Sequence, residues 1–283
     1  MIGKSRHPDP DGQAHGVPST RSAFGQGCGI LRHSPTPGTY RHVRYTPPSA
    51  LADWVEHFWI ESWDLRGRAP QTRVVLPHPC IHLVFAPGRS RIYGVQLSRF
   101  ARELTGDDRI LGIKFRPGAF YPLFHQPVSA IANTFLPAQQ VFPNALPAEK
   151  SVLACCDDHA MVDTAAQFLI AHMPARDPNV ETACEIVEEI VNDPRVTRVE
   201  HITARCGLRE RTLQRLFHRY VGASPRWVIK RYRVYDVLNQ LSAGMPVAWA
   251  TLAQDMGYFD QSHFSNDFKK LVGCAPREYL EQR

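Results

Sequence analysis

The stretch TARCGLRERTLQRLFHRYVGASPR, residues 203–226, returns in altered form as AQDMGYFDQSHFSNDFKKLVGCAPR, residues 253–277. Gly207 aligns with Gly257, and after one extra residue in the second turn Phe217 aligns with Phe268. Each copy predicts a short helix, a tight turn at glycine, a second amphipathic helix, and a Gly-x-x-Pro sequence that opens a third helix. Glycine suits such a turn because it tolerates the positive φ that other residues resist. The repeat therefore predicts two helix-turn-helix units in tandem.

The second copy contains Asp260, Ser262 and His263 within four positions, which raises the alternative of a hydrolase active site. A helix beginning after Asp260 would place Phe264 and Phe268 on one apolar stripe and the aspartate at the N-cap position. Successive helical side chains point about 100° apart, so these polar groups do not converge on one substrate atom. The pattern favours a capped helix over a catalytic triad.

Composition limits the class of protein. The chain has 283 residues, of which 43% are hydrophobic and 21% charged, as is typical of a soluble protein with two domains. No apolar run approaches the roughly 20 residues that span a bilayer, and the amino terminus lacks the apolar segment of a signal peptide. The seven cysteines are scattered without a C-x-x-C pair, which argues against a zinc ribbon and a disulfide framework. We expect a cytoplasmic protein, associated with the nucleoid, that does not bind membranes.

The positive charge is concentrated in the last third of the chain. Residues 1–196 contain 19 Lys+Arg and 19 Asp+Glu, whereas residues 197–283 contain 14 and 8. Between Arg209 and Arg233 there are eight basic residues and one acid, Glu210. Such a run is either a solvated face or the electrostatic footprint of a nucleic-acid binder.

The predicted fold class is α+β, with a β-rich sensor-like domain followed by an all-α domain. Short apolar runs with Pro and Gly punctuation predict strands as far as about residue 141, and helical periodicity follows. The predicted segments are a disordered leader (1–40), a β-rich sensor or dimerisation domain (41–145), a helical connector (146–176) and a DNA-binding domain (177–283). Within the last we predict helix-turn-helix units at about 197–222 and 247–273, joined by a linker helix at about 224–241.

Several motifs carry a family resemblance. The sequences GLRERTLQRLF, VGASPRWV, MGYFDQSHFSNDFKKLVG and APREYL resemble the DNA-binding domain of the AraC/XylS-type transcription regulators. More weakly, LPHPCIHLVF and LGIKFRPGAF resemble the amino-terminal domain of one subgroup of these regulators. The resemblance implies that the second helix of each unit enters the major groove, on successive faces one helical turn, about 34 Å, apart. A linker helix of roughly 24 Å fits such a separation.

The resemblance also implies which side chains meet DNA. The predicted base-reading residues are Arg211, Gln214 and Arg215 on the first recognition helix, and Gln261, Ser262, Ser265 and Asn266 on the second. Arginine can bond guanine bidentately and glutamine adenine, which suits the first set to base recognition. The predicted phosphate contacts, which position without specifying, are Arg219, Lys230, Arg231, Lys269 and Lys270.

Two positions depart from the family pattern. Arg209 stands where a serine usually caps the first recognition helix, and Asn266 stands where an arginine is common. The second unit also has less positive charge than the first. We therefore expect an asymmetric reader, in which the first unit supplies most of the affinity and the second adjusts specificity.

The main rival prediction comes from HPCIH, residues 78–82. On a strand, His78, Cys80 and His82 would share one face and could bind zinc or iron, in a cupin-like enzyme or a metal sensor fused to a DNA-binding domain. A DNA-repair methyltransferase would need a nucleophilic cysteine motif and a zinc cluster, which the sequence lacks. The favoured prediction is a non-enzymatic transcription regulator without a cofactor or metal. Its predicted partners are double-stranded promoter DNA, an unknown small-molecule effector, RNA polymerase and a second copy of the chain.

Overall fold

The computed structural model describes residues 30–31, 40–242 and 249–281. The strands are β1 (Ile30–Leu31), β2 (Tyr40–Tyr45), β3 (Val55–Asp64), β4 (Gln71–Val75), β5 (His82–Phe85), β6 (Arg91–Tyr93), β7 (Phe100–Leu104), β8 (Asp107–Phe115) and β9 (Phe135–Pro137). The α-helices are α1 (Tyr121–Phe124), α2 (Ala145–Leu153), α3 (Asp158–Ile170), α4 (Pro178–Asn192), α5 (Val199–Cys206), α6 (Glu210–Leu216), α7 (Pro225–Ser242), α8 (Trp249–Asp255), α9 (Gln261–Val272) and α10 (Pro276–Glu281). The predicted order, a β-rich amino-terminal region followed by a helical region, is confirmed.

The amino-terminal region is built on two antiparallel sheets. One has six strands in the order β2-β3-β8-β5-β6-β9, and the other has three in the order β1-β4-β7. Side chains alternate between the two faces of each strand. On β3, Phe58 and Ile60 point to a buried apolar core, while His57, Trp59 and Glu61 point to the space between the sheets.

Helices α2 and α3 cover the apolar face of the six-stranded sheet. Phe168 of α3 packs edge-to-face on Phe85 of β5, with 5.6 Å between ring centroids. Met161 and Leu169 of α3 are fully buried in the same core. The predicted helical connector is therefore a layer of the amino-terminal fold, because its apolar stripe packs on the hydrophobic face of the six-stranded sheet.

One apolar core extends from this layer into the helical region. It runs from Leu51 through the six-stranded sheet, α4 and the α5–α6 pair to Tyr232 on α7. A second core forms around α8 and α9 and includes Leu241 of α7. The predicted boundary at residues 176/177 thus does not separate two cores.

The predicted disordered leader lies outside the described residues except for β1 and Tyr40. The two residues of β1 pair with β4, Ile30 opposite Val75 and Leu31 opposite Val74. The first two residues of the predicted second unit, 247–248, also lie outside the described part. None of the helices in the described ranges is long and apolar enough to cross a membrane.

Candidate nucleic-acid interface

The first helix pair consists of α5 and α6, joined by a turn at Gly207. This glycine has φ +68°, in the left-handed region that glycine enters without steric cost. After Leu216 the helix widens into one π-type turn, Phe217–Val221. Leu213 and Phe217 are fully buried, which leaves the opposite face of α6 to solvent.

The second helix pair consists of α8 and α9, joined by a turn at Gly257, where φ is +72°. The Asp260 carboxylate accepts a hydrogen bond of 2.7 Å from the His263 backbone N–H, so the predicted N-cap is confirmed. In contrast, Arg209 provides no side-chain cap for α6, as its residue type predicts. The two pairs share the same helix, turn and helix order but differ in how their recognition helices begin.

Helix α7 joins the two pairs and belongs to both cores. The Ser224 hydroxyl accepts a bond of 3.2 Å from the Trp227 backbone N–H at its start. Val228, in the first half, packs in the core of the first pair, whereas Val234 and Leu238 pack in the core of the second. The helix therefore fixes the position of one pair relative to the other.

Most of the predicted base-reading side chains lie on exposed surface. Ser265 is half-buried, and the exposed residues are Arg211, Gln214, Arg215, Gln261, Ser262 and Asn266. Gln214 donates a hydrogen bond of 2.8 Å to the Glu210 carboxylate one turn earlier on α6. Its amide would have to leave this internal bond to reach a base.

The predicted phosphate contacts divide into two groups. Arg219, Lys269 and Lys270 are exposed. Lys230 is half-buried and lies 2.5 Å from the Asp267 carboxylate, so it ties α7 to α9. Asp267 was not predicted from the sequence, although its position one turn after His263 on α9 faces α7.

The phosphate prediction for Arg231 is wrong. Its side chain is 1% exposed, and its Nε donates to the backbone carbonyl of Pro77 in the amino-terminal region. The guanidinium lies over the Tyr235 ring, 3.2 Å from the centroid. The basic run does not reveal this, because the periodicity of a helix that is buried on several sides does not identify an exposed face.

The predicted metal ligands do not share one strand. Strand β5 begins only at His82, because Pro77 and Pro79 lack the N–H that a sheet ladder requires. His82 accepts a hydrogen bond of 3.1 Å at Nδ1 from the Trp59 indole. Cys80 is buried, and burial raises the pKa of its thiol to about 12. Within the described ranges, no group of three His, Cys, Asp or Glu side chains is arranged to hold a metal ion.

These residues instead contribute to a cavity of about 190 Å³ between the two sheets. Its apolar wall includes Trp59, Val75, Val84, Tyr93 and Phe100. Its charged and imidazole side chains are Arg44, Arg73, Arg102, Lys114, Glu61, His42, His57, His78 and His82. The sequence did not predict most of these cavity residues, because they come from seven different strands and the loop before β5.

Comparison with known families agrees with the helical geometry. A family model described as a helix-turn-helix domain matches residues 202–282, which include both helix pairs. The carboxyl-terminal part of the chain is an AraC-type DNA-binding domain. A second model, described as a domain of unknown function (DUF6597), matches residues 43–137. The chain thus joins this DNA-binding domain to an amino-terminal region that matches a domain of unknown function.

Solved structures add only a distant likeness. A structure of ToxT from Vibrio cholerae has a TM-score of 0.38 and 12% identity, over 86% of this chain and 98% of that one. A structure described as unsaturated fatty acid bound wild-type ToxT has a TM-score of 0.35 and 12% identity, over 88% and 97%. No curated protein matches the chain significantly.

Two segments of the cavity wall touch the AraC-type domain. The first is residues 76–78, where Leu76 packs in the second helical core and the Tyr235 hydroxyl lies 3.3 Å from His78 Nε2. The second is residues 94–100, where the Leu97 carbonyl accepts a bond of 3.1 Å from the Trp227 indole. Both segments also contribute side chains or backbone to the cavity.

The second segment also reaches the end of α9. A Cβ placed on Gly273, which ends that helix at φ +101°, would lie 2.1 Å from the Arg99 guanidinium. The Arg99 guanidinium therefore lies at the carboxyl-terminal end of α9, where the helix dipole favours a cation. Sequence reading missed Arg99, since a single arginine in a loop carries no signal of its distant contact.

Proposed function

We propose that the protein is a sequence-specific transcription regulator that reads DNA with both helix pairs. Helices α6 and α9 would enter successive major-groove faces on one side of the duplex. The observation that carries this proposal is the pair of exposed polar faces on α6 and α9, held apart by a single helix. The 18 residues of α7 span about 27 Å at 1.5 Å per residue. With a recognition helix set off each end, this suits a groove repeat of about 34 Å.

In this proposal α6 supplies the stronger base contacts. Arg211 and Arg215 are four residues apart and therefore share one face of the helix. Each guanidinium can bond guanine O6 and N7 together, and such a pair discriminates against a wrong base by about 1–3 kcal/mol. Gln214 lies between them and can read adenine once it leaves Glu210.

Helix α9 would adjust specificity. Its proposed readers, Gln261, Ser262, Ser265 and Asn266, are neutral and make weaker contacts than arginine. Lys269 and Lys270 follow on the last turn, with Arg219 in the corresponding part of the first pair, and all three are exposed. These cations would hold phosphates and position the readers.

We also infer that the amino-terminal domain modulates DNA binding. The cavity wall meets the AraC-type domain at residues 76–78 and 94–100, which touch α7 and the end of α9. A change in either segment would act on the helix that spaces the two pairs. Modulation would therefore follow from a small change in the angle between α6 and α9, since both must fit one DNA duplex.

The domain limits stay a proposal, with a β-rich sensor at 41–145, helices at 146–176 and the DNA-binding domain at 177–283. Binding of RNA polymerase and self-association into a homodimer are further proposed interactions. That the protein is not an enzyme and has no cofactor stays a prediction.

The test is the salt dependence of binding to a selected DNA site, measured by fluorescence anisotropy. We expect Arg211→Ala to weaken binding by about 1–3 kcal/mol and to relax specificity at one base. Gln261→Ala should relax specificity at a different base with a smaller loss of affinity. Arg68→Ala, a change at an exposed arginine of the β-rich region, is the matched control.

Equal losses of DNA affinity for Arg211→Ala and Gln261→Ala, with the same salt dependence of binding, would refute the proposal that α6 contributes more affinity than α9. Losses no larger than that of the Arg68→Ala control would refute DNA reading by these helices altogether.

The modulation has its own test. Arg99→Gln removes the cation on the end of α9 but leaves every proposed DNA contact in place. We expect the affinity for a site with two half-sites to change, while the affinity for an isolated α6 half-site stays the same. A variant with unchanged affinity for both DNAs would contradict coupling through residues 94–100.

A further inference from the structure

The cavity between the sheets has the size of a small ring compound. Its volume is about 190 Å³, whereas an engineered protein cavity of about 150 Å³ accepts benzene. Sites for drug-sized ligands are larger, roughly 300–1,000 Å³. One six-membered ring with a short substituent is therefore the scale of molecule that fits.

The wall of the cavity includes an aromatic surface that is fixed in place. Trp59 lies against Gly112 on the neighbouring strand, where a Cβ would come within 2.0 Å of the indole Cε2. The indole N–H is held by its bond to His82. Tyr93 and Phe100, whose ring centroids lie 6.4 Å apart, line another part of the wall. Flat, rigid aromatic walls favour a flat apolar ligand.

Of the four cationic side chains that line the cavity in the described ranges, one is exposed to solvent, and Arg73 is buried. Lys114 is closed off, since its Nζ donates a bond of 2.9 Å to the buried Glu56 carboxylate. Arg102 lies 3.8 Å from the Glu61 carboxylate. Arg44 is exposed, lines the cavity and has no carboxylate partner in the part of the chain that the structure describes. It therefore marks the side of the cavity that opens to solvent with an unneutralised positive charge.

The imidazoles add hydrogen-bonding groups without adding charge. Because the Trp59 indole can only donate, His82 Nδ1 must be unprotonated, and burial lowers the pKa of His82 to about 3. The neutral ring then carries its proton on Nε2, which makes it a donor. Within the described ranges, His42 Nε2 and His78 Nδ1 are buried and have no hydrogen-bond partner. Buried polar atoms of this kind are normally satisfied, in many cases by a bound molecule or water.

We propose that this cavity binds a small aromatic carboxylate, with the carboxylate at Arg44 and the ring against the Trp59 wall. This rests on the proposed function, because it identifies the effector class that would act through residues 76–78 and 94–100. A carboxylate supplies the missing counter-charge of Arg44 and accepts hydrogen bonds from imidazole donors. The ring fills apolar space that water would occupy unfavourably.

Isothermal titration calorimetry of the full chain, without DNA, tests the ligand class with benzoate, benzamide, benzylammonium and acetate. Benzoate should bind with saturation, benzamide roughly tenfold more weakly for want of a charge-assisted bond, and the other two not measurably. Arg44→Gln should weaken benzoate binding roughly tenfold and leave benzamide unchanged, whereas Arg68→Gln should change neither. Equal affinity for benzoate and benzamide, or no binding of either, would overturn the proposal.

A second variant places the ligand in the cavity. Val75→Phe puts a ring into the space and should abolish benzoate binding while the thermal midpoint is kept or raised. Undiminished binding by this variant would overturn the location. If benzoate binds as expected but leaves the DNA affinity unaltered, the ligand site stands and the proposed modulation of DNA binding fails.

Discussion

Lys114→Met should destabilise the fold strongly, because it leaves the buried Glu56 carboxylate without its counter-ion. Both side chains are almost fully buried, at 5% and 7% exposure, and their charged atoms lie 2.9 Å apart. Burial alone would raise the pKa of Glu56, but the attraction of Lys114 and a bond from His57 lower it from 4.5 to about 2. A lowering of this size corresponds to a stabilisation on the order of 3 kcal/mol at neutral pH.

The pH dependence follows from the direction of each pKa change. In the wild-type protein the pair stabilises the fold fully above pH 4.5, and this contribution is lost as the pH falls toward 2. In Lys114→Met the attraction of the lysine no longer opposes burial, so we expect the folded-state pKa of Glu56 to lie above its ordinary value. The free energy of unfolding of the variant therefore falls as the pH rises through that pKa, and the loss relative to the wild-type protein is smallest in acid.

Urea unfolding at pH 7.5 and pH 5 measures both effects. We expect Lys114→Met to lose about 3–5 kcal/mol at pH 7.5, the range for breaking a buried pair, and clearly less at pH 5. The double variant Glu56→Gln/Lys114→Met should recover most of the loss, and Lys150→Met, at an exposed lysine, should lose little. A loss equal to that of Lys150→Met, or one independent of pH, would show that Lys114 does not neutralise a buried Glu56 carboxylate.

Three further predictions concern the helical region, two of them with a matched control substitution. Asp260→Ala removes the cap of α9 and should cost about 1 kcal/mol in the free energy of unfolding, whereas the same change at the uncapped Arg209 should cost little. Gly273→Ala should cost about 1–2 kcal/mol, because φ is +101° there and Arg99 must move, and an unchanged thermal midpoint would contradict this. Lys269→Ala should lower the slope of the logarithm of the DNA-binding constant against the logarithm of salt concentration by about 0.9. Arg231→Met should leave that slope unchanged. A reduced slope for Arg231→Met would show that Arg231 does contact a phosphate.

The helical region could be predicted in detail because its signals are local. The glycines at 207, 222, 257 and 273 all have positive φ, so their spacing in the sequence records four turns directly. The N-cap at Asp260 and the start of α7 at Pro225 are likewise set by residues within one helical turn. Exposure of the recognition faces then follows from the apolar stripe on the other side of each helix.

The cavity and the contacts between domains depend on long-range pairing, which one sequence does not encode visibly. Lys114 meets Glu56 across a strand pair, and Arg231 meets Pro77 from a helix 154 residues later. In a basic stretch of sequence, a buried arginine cannot be distinguished from an exposed one that contacts phosphate. The prolines at 77 and 79 did carry a signal against a strand at HPCIH, since neither can donate to a sheet ladder.

Sequencing the DNA retained from a random pool at about 150 mM salt shows whether both helix pairs read bases, because nonspecific phosphate binding is weak there. If both pairs enter the major groove, the retained DNA should show two short conserved blocks whose centres lie about 10 base pairs apart. Arg211→Ala should degrade one block and Gln261→Ala the other. A single block that survives the Gln261→Ala change unaltered, or retained DNA without a motif, would contradict reading by both helix pairs.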